Sequence, residues 1–226
     1  MTPTGEVRGV LSAARSVLLD FDGPVCQVFS GMSAAEVARR LRSAYGDAAR
    51  LAQGDDPLEV VRTASMDGLP RVDALESALT DLEVAAVEMA APTAHAEAAI
   101  KALHAAGHQL AAVSNNSTAA LKRYFTSHGL DPYVSPLIGR EAIRIRQMKP
   151  APHMLLLALE AHGVSPQAAV LVGDSVSDIQ AAHAAGAMSI GYANKPGKYE
   201  RLRKAGATVV IEDMADLACA SWTGAR

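Results

Sequence analysis

Asp20 and Asp22 stand two residues apart in the stretch SVLLDFDGPV, residues 16 to 25, just after three apolar residues and just before Gly23 and Pro24. In an extended segment, side chains two residues apart point the same way and are separated by about 7 Å. That gap can hold a tetrahedral phosphoryl group. Two more apolar runs end in polar clusters: QLAAV before Ser114, Asn115 and Asn116, and AAVLV before GDSVSD, which carries Asp174 and Asp178. A fourth segment, RQMKPAPHM, supplies Lys149 ahead of a helix with Pro152 at its start.

With a phosphate ester as substrate, each cluster has a task. A carboxylate attacking an anionic phosphate suffers charge repulsion, which a divalent cation and fixed positive groups must offset. Asp174 and Asp178 can hold the cation, and oxygen-only ligands favour a hard ion such as Mg²⁺. Lys149 contributes fixed positive charge. The Ser114 hydroxyl and nearby backbone N–H groups can hold phosphoryl oxygens. Asp22, with its pKa raised by neighbouring carboxylates, can protonate the leaving oxygen and later deprotonate the attacking water. The plainer readings are a solvated turn at Asp20 and Asp22, helix capping by Ser114, Asn115 and Asn116, and a surface lysine at 149.

The elements that must position these groups follow from the apolar pattern. SVLLDF, QLAAVS (109 to 114), AAVLVGD (168 to 174), MSIGY (188 to 192) and ATVVI (207 to 211) read as fully buried parallel strands. Helices are expected over Thr93 to Ala106, Ser117 to His128, Pro152 to His162, Ser177 to Ala185 and Lys198 to Ala205. Gly107, Gly129, Gly163, Gly186 and Gly206 follow as left-handed caps. Alternating strands and helices after residue 93 predict an α/β fold, a doubly wound parallel sheet. In such a sheet ligands bind beyond the carboxyl ends of the strands, near the topological switch point. The three polar clusters all fall at such ends.

Residues 27 to 92 break that rhythm and read as helical throughout. Ser33 with Glu36 predicts a capping box ahead of Val37, Leu41 and Tyr45. Asp56 and Pro57 predict an N-cap and first helical residue. A third helix from about Asp73 carries Val72, Leu75, Leu79, Leu82, Ala86 and Met89 as one buried stripe. The expected organisation is a core of residues 1–24 and 92–226 and a small helical cap of residues 25–91. Its hinges would be Gly23-Pro24 and Ala91-Pro92. The alternative is a helical layer packed permanently on the sheet.

The order DFDG, SNN, KPAP, GDSVSDIQAA resembles the haloacid dehalogenase superfamily, in particular its phosphoglycolate-phosphatase-like members with a helical cap after the first strand. The likeness covers about Val17 to Gly23 and Pro92 to Leu217. It implies a Rossmann-like core, with Asp20 as the nucleophile that forms an aspartyl-phosphate and Asp22 as general acid and base. It also implies Ser114 and Lys149 as phosphate binders. Asn115 beside them reads as a substrate-binding group, acting through its backbone or by orienting Asp20. Mg²⁺ would be held by Asp174, the Asp20 carboxylate and the Asp22 backbone carbonyl, with Asp178 a ligand or a neighbour of one. Members that displace halide need no acid for the leaving group, so an aspartate at 22 favours phosphoester hydrolysis. Pro24 departs from the family, which usually has threonine there; it removes an N–H and fixes φ.

Bulk properties exclude several classes. The chain has 226 residues, half of them hydrophobic, and a formal charge of −3 without long runs of one sign. Nothing favours nucleic acid or an anionic membrane, and a small phosphorylated metabolite is the expected partner. Cys26 and Cys219 offer neither a disulfide framework nor metal-ligand spacing. No secretory signal pattern and no apolar run of the roughly 20 residues a membrane span needs are found. The expectation is a cytoplasmic protein, monomer or homodimer, since Trp222 and the apolar cap stripe suit either. The seven histidines read as structural, Cys26 as core, and Arg39, Arg40 and Arg42 as a solvated helix face. ANKPGKY at 193 to 199 reads as a basic loop near the carboxyl edge of the sheet. A phosphomutase and a receiver-type phospho-acceptor domain are the competing functions. The first would need a sugar-gripping cap; the second places its acceptor on a later strand.

Overall fold

A computed structural model describes residues 3–45, 51–141 and 145–221 of the chain; Trp222 lies outside them. In chain order the elements are α1 (Pro3–Ala13), β1 (Ser16–Leu19), β2 (Cys26–Gln27), α2 (Ala34–Tyr45), α3 (Pro57–Met66), α4 (Val72–Val87) and β3 (Ala91–Pro92). Then follow α5 (Ala96–Ala105), β4 (Gln109–Ser117), α6 (Thr118–Ser127), β5 (Leu137–Arg140), α7 (His153–His162), β6 (Ala169–Gly173), α8 (Val176–Ala185), β7 (Met188–Tyr192), α9 (Lys198–Lys204), β8 (Val209–Ile211) and α10 (Ala215–Ser221).

Six strands form one sheet in the order β5-β4-β1-β6-β7-β8, and every neighbouring pair is parallel. From β1 the chain builds outward through β4 to β5, then crosses back to β6 and builds the other way. The switch point therefore lies at β1. Alternation along the strands sends Val17, Leu19, Leu110 and Val172 to one face, packed with α1, α5, α6 and α10. Leu18, Ala111 and Leu171 face the other way, toward α7 and α8. Strands buried on both faces have no polar alternation, which is why they read as continuous apolar runs.

The five expected strands are present, and the five expected glycines all have positive φ. Three elements escaped the pattern. β5 is four residues long, follows Pro136 and ends in an arginine, so its run is too short and too polar to read. Helices α1 and α10 pack against each other, and Val7, Leu11, Met214 and Leu217 are buried there; tertiary contact rather than local periodicity makes them.

The described residues between 27 and 92 form three helices, α2, α3 and α4, as expected, with short strands at the borders. Cys26 pairs with Pro92, and Gln27 with Ala91, in a two-residue antiparallel ribbon, so the two crossings brace each other. Ser33 caps α2 by accepting the Glu36 N–H at 3.2 Å. The Glu36 side chain instead binds Arg39 and Arg40 at 2.7 Å, so the expected box is half made. Asp56 caps α3 as expected, accepting the Leu58 N–H at 2.9 Å. On α4 the buried stripe is Leu75, Glu76, Leu79, Glu83, Ala86 and Val87. Two carboxylates stand in it, while Met89 is exposed. Helix α4 packs on α6 and on the end of β4. No helix among the described residues is long and apolar enough to cross a membrane.

Candidate active site

Parallel register brings the polar ends of three strands to one height. Leu19 pairs with Ala112 on one side and Val172 on the other, and the Asp20 N–H donates to Val172 O at 2.8 Å. Asp20, Ser114 and Asp174 thus begin where the apolar strands stop. They line a cavity of about 270 Å³ together with Asp22, Asn115, Asn116, Lys149, Ser175, Ser177 and Asp178. All seven residues expected to act are therefore in one place.

Asp20 is buried, and Lys149 Nζ lies 2.7 Å from its Oδ1 and 2.6 Å from Asp178 Oδ1. Burial pushes the Asp20 carboxyl up to about 8, Asp178 adds to the rise, and Lys149 opposes it. Burial also works against the charge on Lys149, but Asp178 and Asp20 outweigh it and hold its pKa above the ordinary value. Lys149 is therefore a fixed cation, and it favours the ionised form of Asp20 against the effect of burial. Asp178 is fully buried and serves two ends. It receives Lys149, and as the third residue of α8 it closes a capping box with Ser175, whose N–H it accepts at 2.9 Å.

Asp22 points elsewhere: its Oδ1 accepts the Val28 N–H at 2.9 Å. Burial raises its pKa to about 6 against the lowering effect of that bond, with Asp174 adding to the rise. The turn beyond it needs glycine. Gly23 has φ +111°, and a Cβ there would lie 2.5 Å from Asp174 Cγ. Gly173 has no room either, since a Cβ would lie 2.4 Å from that of Asp178. Pro24 is accommodated in this turn, where Gly23 N–H donates to Cys26 O at 2.7 Å and Thr93 Oγ1 donates to Gly23 O at 2.5 Å.

Ser114, Asn115 and Asn116 occupy an irregularity of β4, whose pairing with β5 shifts between Val113 and Ser117. Bulges of this kind re-aim side chains beside active sites. Ser117, not the three residues before it, caps α6 by accepting the Ala120 N–H. The Asn115 amide does not reach Asp20. It accepts the Lys149 N–H at 2.9 Å and donates to Lys149 O at 3.1 Å, so it positions the lysine.

The oxygens of Asp20, Asp174 and Asp178 lie within 4.8 Å of one another. This is a hard, all-oxygen donor set, and lysine ammoniums already rest on every member. Lys198 Nζ and Asn194 Nδ2 both donate to Asp174 Oδ2. The residues fit a divalent cation such as Mg²⁺.

The segment of Asn194 and Lys198 lies near the carboxyl edge of the sheet, as expected of the basic stretch, but its contact with Asp174 depends on strand order. Other residues at the site gave no sequence signal. Phe29, Asp56, Pro57, Leu58 and Glu83 reach the cavity from the helical segment. Arg140, at the end of β5, donates through Nε to Glu76 at 2.6 Å and through both terminal nitrogens to Glu83 at 2.9 and 3.0 Å. It also donates to Asn115 O at 2.7 Å, while Glu83 accepts from Asn116 Nδ2 and the Ser117 N–H. This buried network ties α4 to the loop that carries Ser114. The only hint was Glu76 and Glu83, seven apart on the apolar side of a helix. The histidines stay out of the site, and Cys26 is buried core, both as expected.

A doubly wound sheet with a buried carboxylate just beyond its first strand, a lysine against it and two more aspartates alongside is an arrangement suited to hydrolase chemistry. Residues 14–186 match the model described as haloacid dehalogenase-like hydrolase, and the chain belongs to that family. It is 38% identical over 97 residues to phosphoglycolate phosphatase of Escherichia coli K12 and to that of Salmonella typhimurium LT2. Those matches span 43% of this chain and 38% of each relative. CbbY from Rhodobacter sphaeroides, solved with phosphate, superposes with a TM-score of 0.70 at 19% identity, covering 90% of this chain and 96% of that one. A haloacid dehalogenase-like protein of unknown function from Agrobacterium tumefaciens gives 0.63 at 27% identity, with coverage of 90% and 96%. The doubly wound architecture is thus that of solved haloacid dehalogenase-like proteins.

Proposed function

We propose that the protein is a Mg²⁺-dependent phosphatase of a small phosphorylated metabolite, acting through an aspartyl-phosphate on Asp20. The observation that carries the reading is the pairing of buried Asp20 with Lys149 beside Asp174 and Asp178, at the switch point of the sheet. The relatives' name, phosphoglycolate phosphatase, supports a small ester. The core would comprise residues 1–24 and 92–226 and the cap residues 25–91.

In the first step an Asp20 carboxylate oxygen bonds to phosphorus while the ester P–O bond breaks. The departing electron pair stays on the alcohol oxygen, which takes the proton of Asp22. In the second step water attacks the phosphorus of the acyl phosphate, Asp22 receives the water proton, and the Asp20 carboxylate leaves. Lys149 and Ser114 hold the transferring oxygens throughout. A Mg²⁺ held by Asp20, Asp174, Asp178 and the Asp22 carbonyl would supply the positive charge that lets two anions meet. An acid at about 6 suits both steps, since Asp22 must give a proton and take one back.

Phosphate release from a panel of metabolite phosphates, with Mg²⁺ or with EDTA, tests the reading. Turnover that needs the metal and vanishes in Asp20→Asn supports it. Metal-dependent turnover that survives in Asp20→Asn refutes it.

A further inference from the structure

The cavity has a core side and a cap side, and their charges differ. On the core side Lys149 is the one cationic side chain among the described lining residues. Its Nζ donates to Val113 O at 3.1 Å and lies 2.7 Å from Asp20 Oδ1 and 2.6 Å from Asp178 Oδ1. It therefore sits at the reacting end of the cavity, facing the phosphoryl group rather than the organic part of a substrate. On the cap side the ionisable groups among the described lining residues are Asp56 and Glu83, both carboxylates. Glu83 shares the single guanidinium of Arg140 with Glu76, so two negative charges stand against one positive. Four described arginines of the helical segment are engaged by other partners: Arg39 and Arg40 on Glu36, Arg42 on the carbonyls of Ala52 and Gly54, and Arg62 on Glu59. Phe29, Pro57 and Leu58 complete the cap side with apolar surface.

A leaving group that carries a carboxylate would give up hydration here and meet like charge, and the described lining residues of the cap side offer it no cation, since Lys198 outside them is held by Asp174. One that carries hydroxyl or ammonium donors would find acceptors for its N–H or O–H groups and apolar surface for its carbons. We propose that the site selects phosphate monoesters of alcohols bearing hydroxyl or ammonium donors, against esters of the same size that bear a carboxylate. The proposal rests on the phosphatase reading above and names the substrate class within it.

Three two-carbon esters that differ only in the terminal group test it: 2-hydroxyethyl phosphate, 2-aminoethyl phosphate and 2-phosphoglycolate, with p-nitrophenyl phosphate as a reference for turnover. The expected kcat/KM for each of the first two exceeds that for 2-phosphoglycolate by about tenfold at low salt, and the gap narrows as salt screens the carboxylates. Asp56→Asn keeps the N-cap and removes one charge. It should raise the ratio of the carboxylate ester to the hydroxyl ester by about threefold. Equal or better hydrolysis of 2-phosphoglycolate by a protein that also hydrolyses p-nitrophenyl phosphate overturns the substrate class and leaves the phosphatase reading standing. No turnover of any of the four esters overturns both.

Discussion

Two buried cations in this molecule each face two buried carboxylates. Lys149 sits between Asp20 and Asp178 at the switch point, and Arg140 sits between Glu76 and Glu83 where α4 meets the sheet edge. The chemistry of the two groups explains the difference in role. Lysine is a compact point charge on a flexible stem, and its carboxylate partners can turn to a metal ion or a phosphoryl group. Arginine's planar fork makes four bonds to Glu76, Glu83 and Asn115 O at once, which fixes geometry and leaves little to exchange. In the proposed reading one cluster reacts, while the other holds α4 against the Ser114 loop.

Substitutions should separate the two. Arg140→Met leaves two uncompensated carboxylates in a closed seam, and breaking a buried pair from one side costs about 3–5 kcal/mol. A corresponding fall in the urea midpoint of unfolding is the expected result, with kcat of the surviving folded protein lowered less than its stability. Lys149→Met should do the reverse. Its kcat/KM falls about 10²–10³-fold, the usual effect of losing one preorganised group at a transferring oxyanion, and added Mg²⁺ recovers more of its stability than in Arg140→Met. If both variants lose stability and activity in the same proportion, the division of roles is wrong.

The effect of pH is smaller and tests Asp22. Its carboxyl is raised to about 6, so it is protonated below that pH and loses its proton above it. For an alkyl ester, whose leaving oxygen needs a proton, kcat/KM should fall by about tenfold per pH unit above 6. The limb should vanish with p-nitrophenyl phosphate, which leaves unprotonated. A pH limb of equal size for both esters would remove Asp22 from the acid role.

The same contrast governs what the sequence discloses. Asp20, Asp22, Ser114, Lys149, Asp174 and Asp178 were legible because each follows or flanks a local signal: an apolar run that stops, a glycine that turns, a proline that starts a helix. The strands that carry them lie in one sheet, and register then aligns their ends without further information. Glu76, Glu83 and Arg140 had no such signal. Their meaning lies in a contact across more than 50 positions of chain, made by a strand too short to read. The basic segment with Asn194 and Lys198 was legible as lying near the carboxyl edge, but its contact with Asp174 was hidden for a related reason, since only the order of β6 and β7 brings it there. The half-made capping box at Ser33 shows a local signal overruled by a better partner: Glu36 prefers two guanidiniums to one backbone N–H. Ser33→Ala should accordingly cost only about 1 kcal/mol of stability in a thermal melt, as a simple N-cap does.

The covalent step on Asp20 is the central claim, and it can be caught directly. Asp22→Asn cannot activate water, yet p-nitrophenyl phosphate needs no acid to leave. Mixed with that ester and Mg²⁺, then quenched in acid, the variant should release one equivalent of p-nitrophenol in a burst and gain the mass of one phosphoryl group. Peptide mapping should place that group on Asp20. A full burst with the phosphoryl group on another residue, or steady turnover with no phosphorylated protein at any time, would contradict the account.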